Sequence, residues 1–260
     1  MSLYVENLSV RYDGPDGPVR AVDDVSLTLE AGAALVLLGE SGSGKTTVAR
    51  TVLGLPGREA HITGRVRLGD TDLRTLGEAE LSRIRGRRIG YVPQDPNGAL
   101  DPLRRIGPQL VEVLLRHRIA DNRRAARAAV PGLLTTAGVT DPDRVARAYP
   151  HELSGGLKQR AAIALAVACG PELLIADEPT TALDALVRGR ILDLFDTLRT
   201  EQGISLLLVT HDLTAARRIG GDVVVMSEGR IVGTGPTEKV LAGSGRRAAG
   251  LLAAPQGDRP

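Results

Sequence analysis

The densest chemistry in this sequence lies in eight residues, Gly39-Glu40-Ser41-Gly42-Ser43-Gly44-Lys45-Thr46. They fit the pattern G-x-x-x-x-G-K-[ST], in which glycines let backbone N–H groups turn inward around the β- and γ-phosphates of a nucleotide. Lys45 offsets phosphate charge, and the Thr46 hydroxyl is placed to ligate Mg²⁺. A second centre is Asp177-Glu178, two carboxylates at the end of the apolar run Leu173-Leu174-Ile175-Ala176. Adjacent strand residues point to opposite faces, so the two acids can serve different partners. An isolated Asp-Glu in this position is as readily a helix N-cap pair; the phosphate loop elsewhere in the chain turns it toward nucleotide chemistry.

Both centres need elements to hold them. Ala34 to Leu38 reads as a short apolar strand and Lys45 to Leu53 as a helix, which gives the strand, loop, helix order that the phosphate-binding mechanism requires. Residues 3 to 11 and 20 to 29 read as a β-hairpin, with Asp13 to Pro18 as turn or loop. Further segments follow: a strand near Ile62 to Leu68, a polar helix near Glu78 to Arg85, and a strand at Ile89 to Val92. From about Asp95 to Ala168 strand patterning gives way to amphipathic helix, as in Ile106 to His117. Pro131 predicts two short helices, or one kinked, over Asp121 to Ala137. Beyond Pro171 the pattern alternates: strand Leu173 to Ala176, helix Leu186 to Arg199, strand Ser205 to Thr210, helix Leu213 to Ile219, strand Val223 to Met226. Such alternation implies a parallel sheet covered on both faces. Residues after about Ser244 read as loosely held.

Composition narrows the function classes. At 260 residues with 42% hydrophobic side chains the chain can bury a substantial core. Only 2% of residues are aromatic, which argues against a base-stacking surface and hence against nucleic acid as partner. The 33 basic and 31 acidic residues leave a net charge of +2, so runs such as Arg83 to Arg88 and Arg123 to Arg127 read as solvated faces. The single cysteine, Cys169, excludes an internal disulfide or a multi-cysteine metal centre and suits a reduced cytoplasm. The opening MSLYVENLSV alternates like a strand and does not read as a signal peptide. The longest apolar candidate, Ala161 to Cys169, is too short to span a bilayer.

The order of motifs resembles one family. Leu153-Ser154-Gly155-Gly156, then a helix, then Asp177-Glu178, then Asp184, looks like the signature, acidic strand and D-loop of the ATP-binding cassette (ABC) ATPases. The resemblance covers residues 3 to about 243. It implies an α/β fold with a P-loop NTPase core, a RecA-like parallel sheet with an antiparallel β subdomain, plus an inserted helical subdomain. The domain would be 1–243, with core 1–94 and 169–243, helical subdomain about 95–168, and a tail 244–260. It implies ATP and Mg²⁺ as cofactors, with nucleotide bound by Gly39, Glu40, Ser41, Gly42, Ser43, Gly44, Lys45, Thr46 and Thr47. By the same resemblance Asp177, with Thr46 and Gln94, orients Mg²⁺, Glu178 activates the attacking water, and Gln94 and His211 contact the γ-phosphate side. Tyr12 matches an aromatic that stacks on adenine. Leu153, Ser154, Gly155 and Gly156, with Asp184, would act on the nucleotide of a partner. Leu157 stands where the family's fifth signature residue is commonly Gln, a departure familiar among peptide and nickel import ATPases.

Finer motifs are similar to the ATPase subunits of oligopeptide, dipeptide and nickel importers: Gln94-Asp95-Pro96 with Ala99-Leu100-Asp101-Pro102, Tyr149-Pro150-His151-Glu152-Leu153, and Ile175 through Asp184. The missing cysteine-bearing C-terminal extension favours a short, nickel-type subunit. The resemblance implies a second ATPase subunit, identical or related, two transmembrane permease subunits, an extracytoplasmic binding protein, and a place on the cytoplasmic face of the membrane. A soluble ABC ATPase of a multi-enzyme complex, such as carbon–phosphorus lyase, has similar motifs. DNA-repair and translation relatives would need a second cassette, coiled coil or zinc module, none of which is visible.

Overall fold

A computed structural model describes residues 1–14, 17–57, 59–181 and 183–243. The chain opens on a hairpin, β1 (Leu3–Gly14) and β2 (Gly17–Leu29), paired antiparallel down to Asp13 with Pro18 and Gly14 with Gly17. The expected loop over Asp13 to Pro18 is therefore shorter, because Pro18 sits on an edge strand, where a missing N–H costs no ladder bond. Pro15 and Asp16 lie outside the described residues. Apolar alternation along β1 changes phase between Val5 and Leu8, where Asn7 adopts φ 47° in a bulge matched by Asp24 (φ 53°) on β2. Asn7 Nδ2 donates to Asp24 Oδ1 at 3.0 Å, so the two short polar side chains that tolerate the left-handed backbone also lock it. This hairpin joins β4 (Ala60–Leu68) and the short β5 (Thr71–Asp72) in a four-stranded antiparallel sheet of order β2-β1-β4-β5.

The main sheet has six strands in the order β10-β9-β3-β8-β7-β6: β3 (Ala34–Gly39), β6 (Ile89–Val92), β7 (Leu173–Asp177), β8 (Ser205–Thr210), β9 (Asp222–Ser227) and β10 (Arg230–Pro236). Pairs from β9 through β3, β8, β7 to β6 are parallel, as expected, and β10, a strand the sequence pattern did not indicate, joins β9 antiparallel at the edge. All six residues of β3 are buried, as are all five of β7 and all six of β8. Period-two alternation then splits the core: Val36, Leu38, Leu174 and Leu206 pack on one face, and Leu35, Leu37, Leu173 and Leu207 on the other. The second face is covered by α1 (Lys45–Val52) and the antiparallel sheet.

After α2 (Glu78–Ile84) and β6, the chain builds four helices: α3 (Ile106–Arg116), α4 (Arg123–Thr136), α5 (Pro142–Arg147) and α6 (Gly155–Val167). Pro131 does not divide α4, which runs on as one helix; its buried stripe Ala126, Val130, Leu134 holds it against its neighbours through the missing hydrogen bond. Helix α6 buries Ala161 through Ala164 with Ala166 and Val167 between the lobe and the sheet, which explains why the run at Ala161 to Cys169 is apolar on every side. Helices α7 (Ala185–Gln202), α8 (Leu213–Ile219) and α9 (Thr237–Gly243) complete the fold. Ala182 and the tail, residues 244–260, lie outside the described residues.

Candidate functional site

The site gathers at the carboxyl ends of β3, β7 and β8. Strand β3 ends on Gly39, where a Cβ would stand 2.3 Å from the Met226 carbonyl oxygen, so only glycine lets the loop turn there. Gly44 has φ 98°, and a Cβ on it would lie 2.3 Å from the Ala21 carbonyl oxygen. As N-cap of α1 it brings no side chain to cap the helix, and no acid occupies the first turn. The orphan N–H groups of that turn and the positive end of the helix dipole therefore face the loop.

Lys45 is 3% exposed. Its Nζ donates to the Gly39 and Glu40 carbonyls at 2.8 and 2.6 Å, folded back over the loop. Burial lowers its pKa below the usual lysine value, against the pull of Glu178, Asp177 and Glu40. Asp177 is also 3% exposed. One of its oxygens accepts from the Thr46 hydroxyl at 3.0 Å and the other from Tyr91 at 3.3 Å. Burial raises the Asp177 pKa despite those two hydrogen bonds, and it pushes the Tyr91 phenol up to about 12, with the Asp177 charge adding to the effect.

Glu178 turns the other way. Its backbone has φ 46°, a left-handed conformation rare for a residue with a Cβ, and its N–H donates to the Val209 carbonyl at 2.8 Å. The side chain is 12% exposed, with Oε2 at 3.1 Å from His211 Nδ1. The same oxygen accepts from the Thr181 hydroxyl at 3.1 Å and lies 3.4 Å from Gln94 Nε2. Residues from three separate strand ends, Gln94 after β6, Glu178 after β7 and His211 after β8, thus converge on one point.

That point faces the loop across a cavity of about 680 Å³, within the size range of small-molecule sites. Glu40, Ser41, Gly42, Gly44, Lys45, Thr46 and Thr47 line one wall, with Gln94, Glu178, Thr181 and His211 opposite and Ala21 at the side. Three acids and one lysine in and beside this space would repel a bare polyphosphate, so its entry calls for a divalent cation. Thr46 Oγ1 and Asp177 Oδ1, hard oxygens 3.0 Å apart, fit Mg²⁺, which takes few protein ligands and shares the rest with phosphates. Among the described residues no cluster of three His, Cys, Asp or Glu side chains could hold a metal without such help.

Other expected residues stand elsewhere. Ser154, Gly155 and Gly156 begin α6 on an open face, where the Ser154 hydroxyl accepts weakly from the Leu157 N–H at 3.4 Å; none of them lines the cavity. Leu153 is buried and belongs to the core. Asp184 is exposed and caps α7 by accepting from the Val187 N–H at 2.9 Å. Tyr12 stands apart from the cavity lining, its hydroxyl donating to the Pro56 carbonyl at 2.7 Å. Sequence reasoning missed Tyr91 and Thr181, the partners of Asp177 and Glu178. Tyr91 pairs in register with Ile175, two residues before Asp177, so the signal was a polar aromatic on the neighbouring strand.

A family model described as ABC transporter matches residues 22–181. The oligopeptide transport ATP-binding protein OppD of Mycobacterium tuberculosis is 43% identical over 230 residues, covering 88% of this chain and 38% of that one. The chain thus spans well under half the length of that relative. The dipeptide transport ATP-binding protein DppD of Bacillus subtilis is 40% identical over 241 residues, 92% of this chain and 72% of that one. Among solved structures, a dimeric ATP-binding cassette, MJ0796, in a post-hydrolysis state bound to ADP and Pi superposes with TM-score 0.80 at 30% identity, covering 90% of this chain and 98% of the other. cbiO1 from Clostridium perfringens, part of the transporter complex cbiONQ, gives 0.78 at 26% identity over 96% of this chain and 97% of its own.

Proposed function

This chain belongs to the ABC transporter family, and from that premise we propose that it binds and hydrolyses ATP to energise an importer of short peptides. The observation that carries the reading is the convergence of Gln94, Glu178 and His211 across the cavity from the Lys45 loop. Peptide is favoured over nickel because the relatives just described are peptide-transport proteins by name.

The loop Gly39 to Thr47 holds the β- and γ-phosphates, with Lys45 neutralising charge and α1 presenting its N-terminus. Tyr12 stacks on the adenine. Mg²⁺, held by Thr46 and Asp177 with Gln94 beside it, offsets the charge on the phosphate oxygens when bound. Glu178 takes the proton of a water as that water attacks the γ-phosphorus; the bond to the β–γ bridging oxygen breaks, giving ADP and inorganic phosphate. The 3.1 Å contact to His211 and the Thr181 hydroxyl orient the carboxylate.

The second half of the site comes from another ATPase subunit, whose counterparts of Ser154, Gly155 and Gly156 close over the γ-phosphate, with Asp184 near the junction. The core, 1–94 and 169–243, carries the nucleotide, and the helical subdomain, about 95–168, follows it. Lys158 Nζ on α6 reaches Asn97 Oδ1 at 3.2 Å, tying the signature helix to the segment after Gln94, so movement at the γ-phosphate reaches the lobe. No helix among the described residues is long and apolar enough to cross a membrane. Two permease subunits, fed by an extracytoplasmic binding protein, would therefore provide the path and hold this subunit at the cytoplasmic face. The test is to purify the tagged chain from membranes, measure Mg²⁺-dependent phosphate release, and identify what accompanies it. Permeases in the complex and peptide-stimulated release are the expected result; recovery with soluble enzymes alone would overturn the importer.

A further inference from the structure

The N-terminal turn of α4 is strongly basic. Arg123 and Arg124 occupy its first turn, with Arg127 one turn on and no acid among them, where the positive end of the helix dipole disfavours them. Arg123 and Arg127, four residues apart, also repel each other. Among the described residues no carboxylate forms an ion pair with Arg116, Arg123 or Arg127. Local choices that oppose stability without a compensating contact mark functional positions.

These three arginines border a groove of about 630 Å³ between α3 and α4, which shares no lining residue with the nucleotide cavity. Its floor is apolar: Pro108, Val111 and Leu115 form one stripe along α3, and Val130 of α4 and Ala146 of α5 complete it. The stripe from Pro108 to Arg116 runs about 12 Å at the α-helical rise. One further arginine, Arg104, is already paired with Glu112 and closes one side.

We infer that this groove binds a small amphiphilic anion, a carboxylate or phosphate carrying an apolar chain, with the chain on the α3 stripe and the acid on Arg116, Arg123 and Arg127. Charge complementarity selects the anion and the apolar floor selects the chain. The volume is that of a small-molecule site. Val111 and Val130 are buried at the floor, 7% and 4% exposed, so a ligand must enter the groove to reach them, and the flat face of a bilayer does not.

The probe is dodecanoate, below its micellar concentration, titrated onto the full chain by calorimetry. Saturable binding is expected, with no binding of decylamine, which has a similar chain and the opposite charge. Arg123→Glu with Arg127→Glu should weaken dodecanoate by about tenfold or more, from the loss of charge-assisted hydrogen bonds. The thermal midpoint should hold or rise, since acids suit a helix N-terminus, and ATP affinity should stay unchanged. Pro108→Trp, which fills the groove and leaves every arginine in place, should also abolish binding. The inference is overturned by unchanged affinity in these variants, by equal binding of decylamine, or by displacement of dodecanoate by ATP. It is also overturned if dodecanoate fails to bind while phosphatidylglycerol vesicles do, which would assign the arginines to a membrane surface.

Discussion

Helices α1 and α6 both start beside short glycine runs and both offer an anion the positive end of a dipole, yet their surroundings differ. At α1 the helix start is enclosed: Gly44 leaves the first turn uncapped, Lys45 is buried over it, and Thr46 and Asp177 stand ready with oxygens. At α6 the start is open: Ser154 and Gly155 face solvent, the cap is a long 3.4 Å hydrogen bond, and neither residue lines the cavity that holds Lys45. The same backbone physics thus gives an enclosed anion site and an open helix start, which on the proposed reading acts only on a nucleotide that a second subunit brings. On the open side Leu186 is 66% exposed, an apolar side chain beside Asp184 that suits burial against a second subunit.

The contrast can be attacked at several strengths. The largest effect belongs to the enclosed side: Glu178→Gln should lower steady-state phosphate release by about 10²- to 10⁴-fold, the range for loss of a general base, with ATP binding intact. Preserved turnover would remove Glu178 from its role. Next, Lys45→Ala should weaken ATP binding to the isolated chain by about 2–5 kcal/mol, the usual result of deleting one partner of a desolvated charge pair. Gly155→Glu, on the open side, should leave that binding unchanged and stop turnover in the assembled complex. If both variants weakened binding equally, measured by titration of the isolated chain, the distinction between the two helix starts would fail.

The smallest effect is a pH dependence. Burial holds the Lys45 pKa below 10.5 in the free protein, and bound phosphate would raise it. In the alkaline window between those two values ATP binding should take up a proton, so affinity falls as pH rises through the free-state pKa. Stability of the nucleotide-free chain moves the opposite way: the unfolded lysine binds more protons than the folded one in the window below 10.5, so stability rises with pH there and is lost as pH falls through the depressed folded value. Calorimetry in buffers of different ionisation enthalpy would read the proton, and zero uptake would contradict the assignment.

Much of this was legible in the residues, for identifiable reasons. The phosphate loop and the Asp177-Glu178 strand end are local patterns whose chemistry follows from spacing, and the strands that carry them are buried on both faces, hence continuous apolar runs. Asp177 and Glu178 do meet different partners, but the strand ends at Asp177 and a left-handed backbone at Glu178, which alternation does not predict, turns the second acid away. Elements whose stability comes from neighbours were not legible. Strand β10 alternates glycine with other residues and is fixed by antiparallel pairing to β9, and α5 is six residues long with one buried side chain, Val145. Pro131 left two outcomes open because propensity is local, and the tertiary stripe that keeps α4 whole selects the single helix over two short ones. Tyr91 was overlooked because its contact crosses from one strand to another, and Thr181 because its hydroxyl reaches Glu178 only through the shape of the turn between them.

The left-handed backbone of Glu178 carries a longer consequence. A side-chain-bearing residue at φ 46° costs the fold about 1 kcal/mol relative to glycine, strain tolerated because that turn aims the carboxylate at His211 and Gln94. A single change to glycine would relax the turn and delete the base together. With Glu178 as the proposed base, the resulting chain would be sturdier, would still grip its nucleotide, and would have no chemical means of letting go. For the transport ATPase proposed above, the easiest gain in robustness is thus also the shortest path to becoming a permanent clasp.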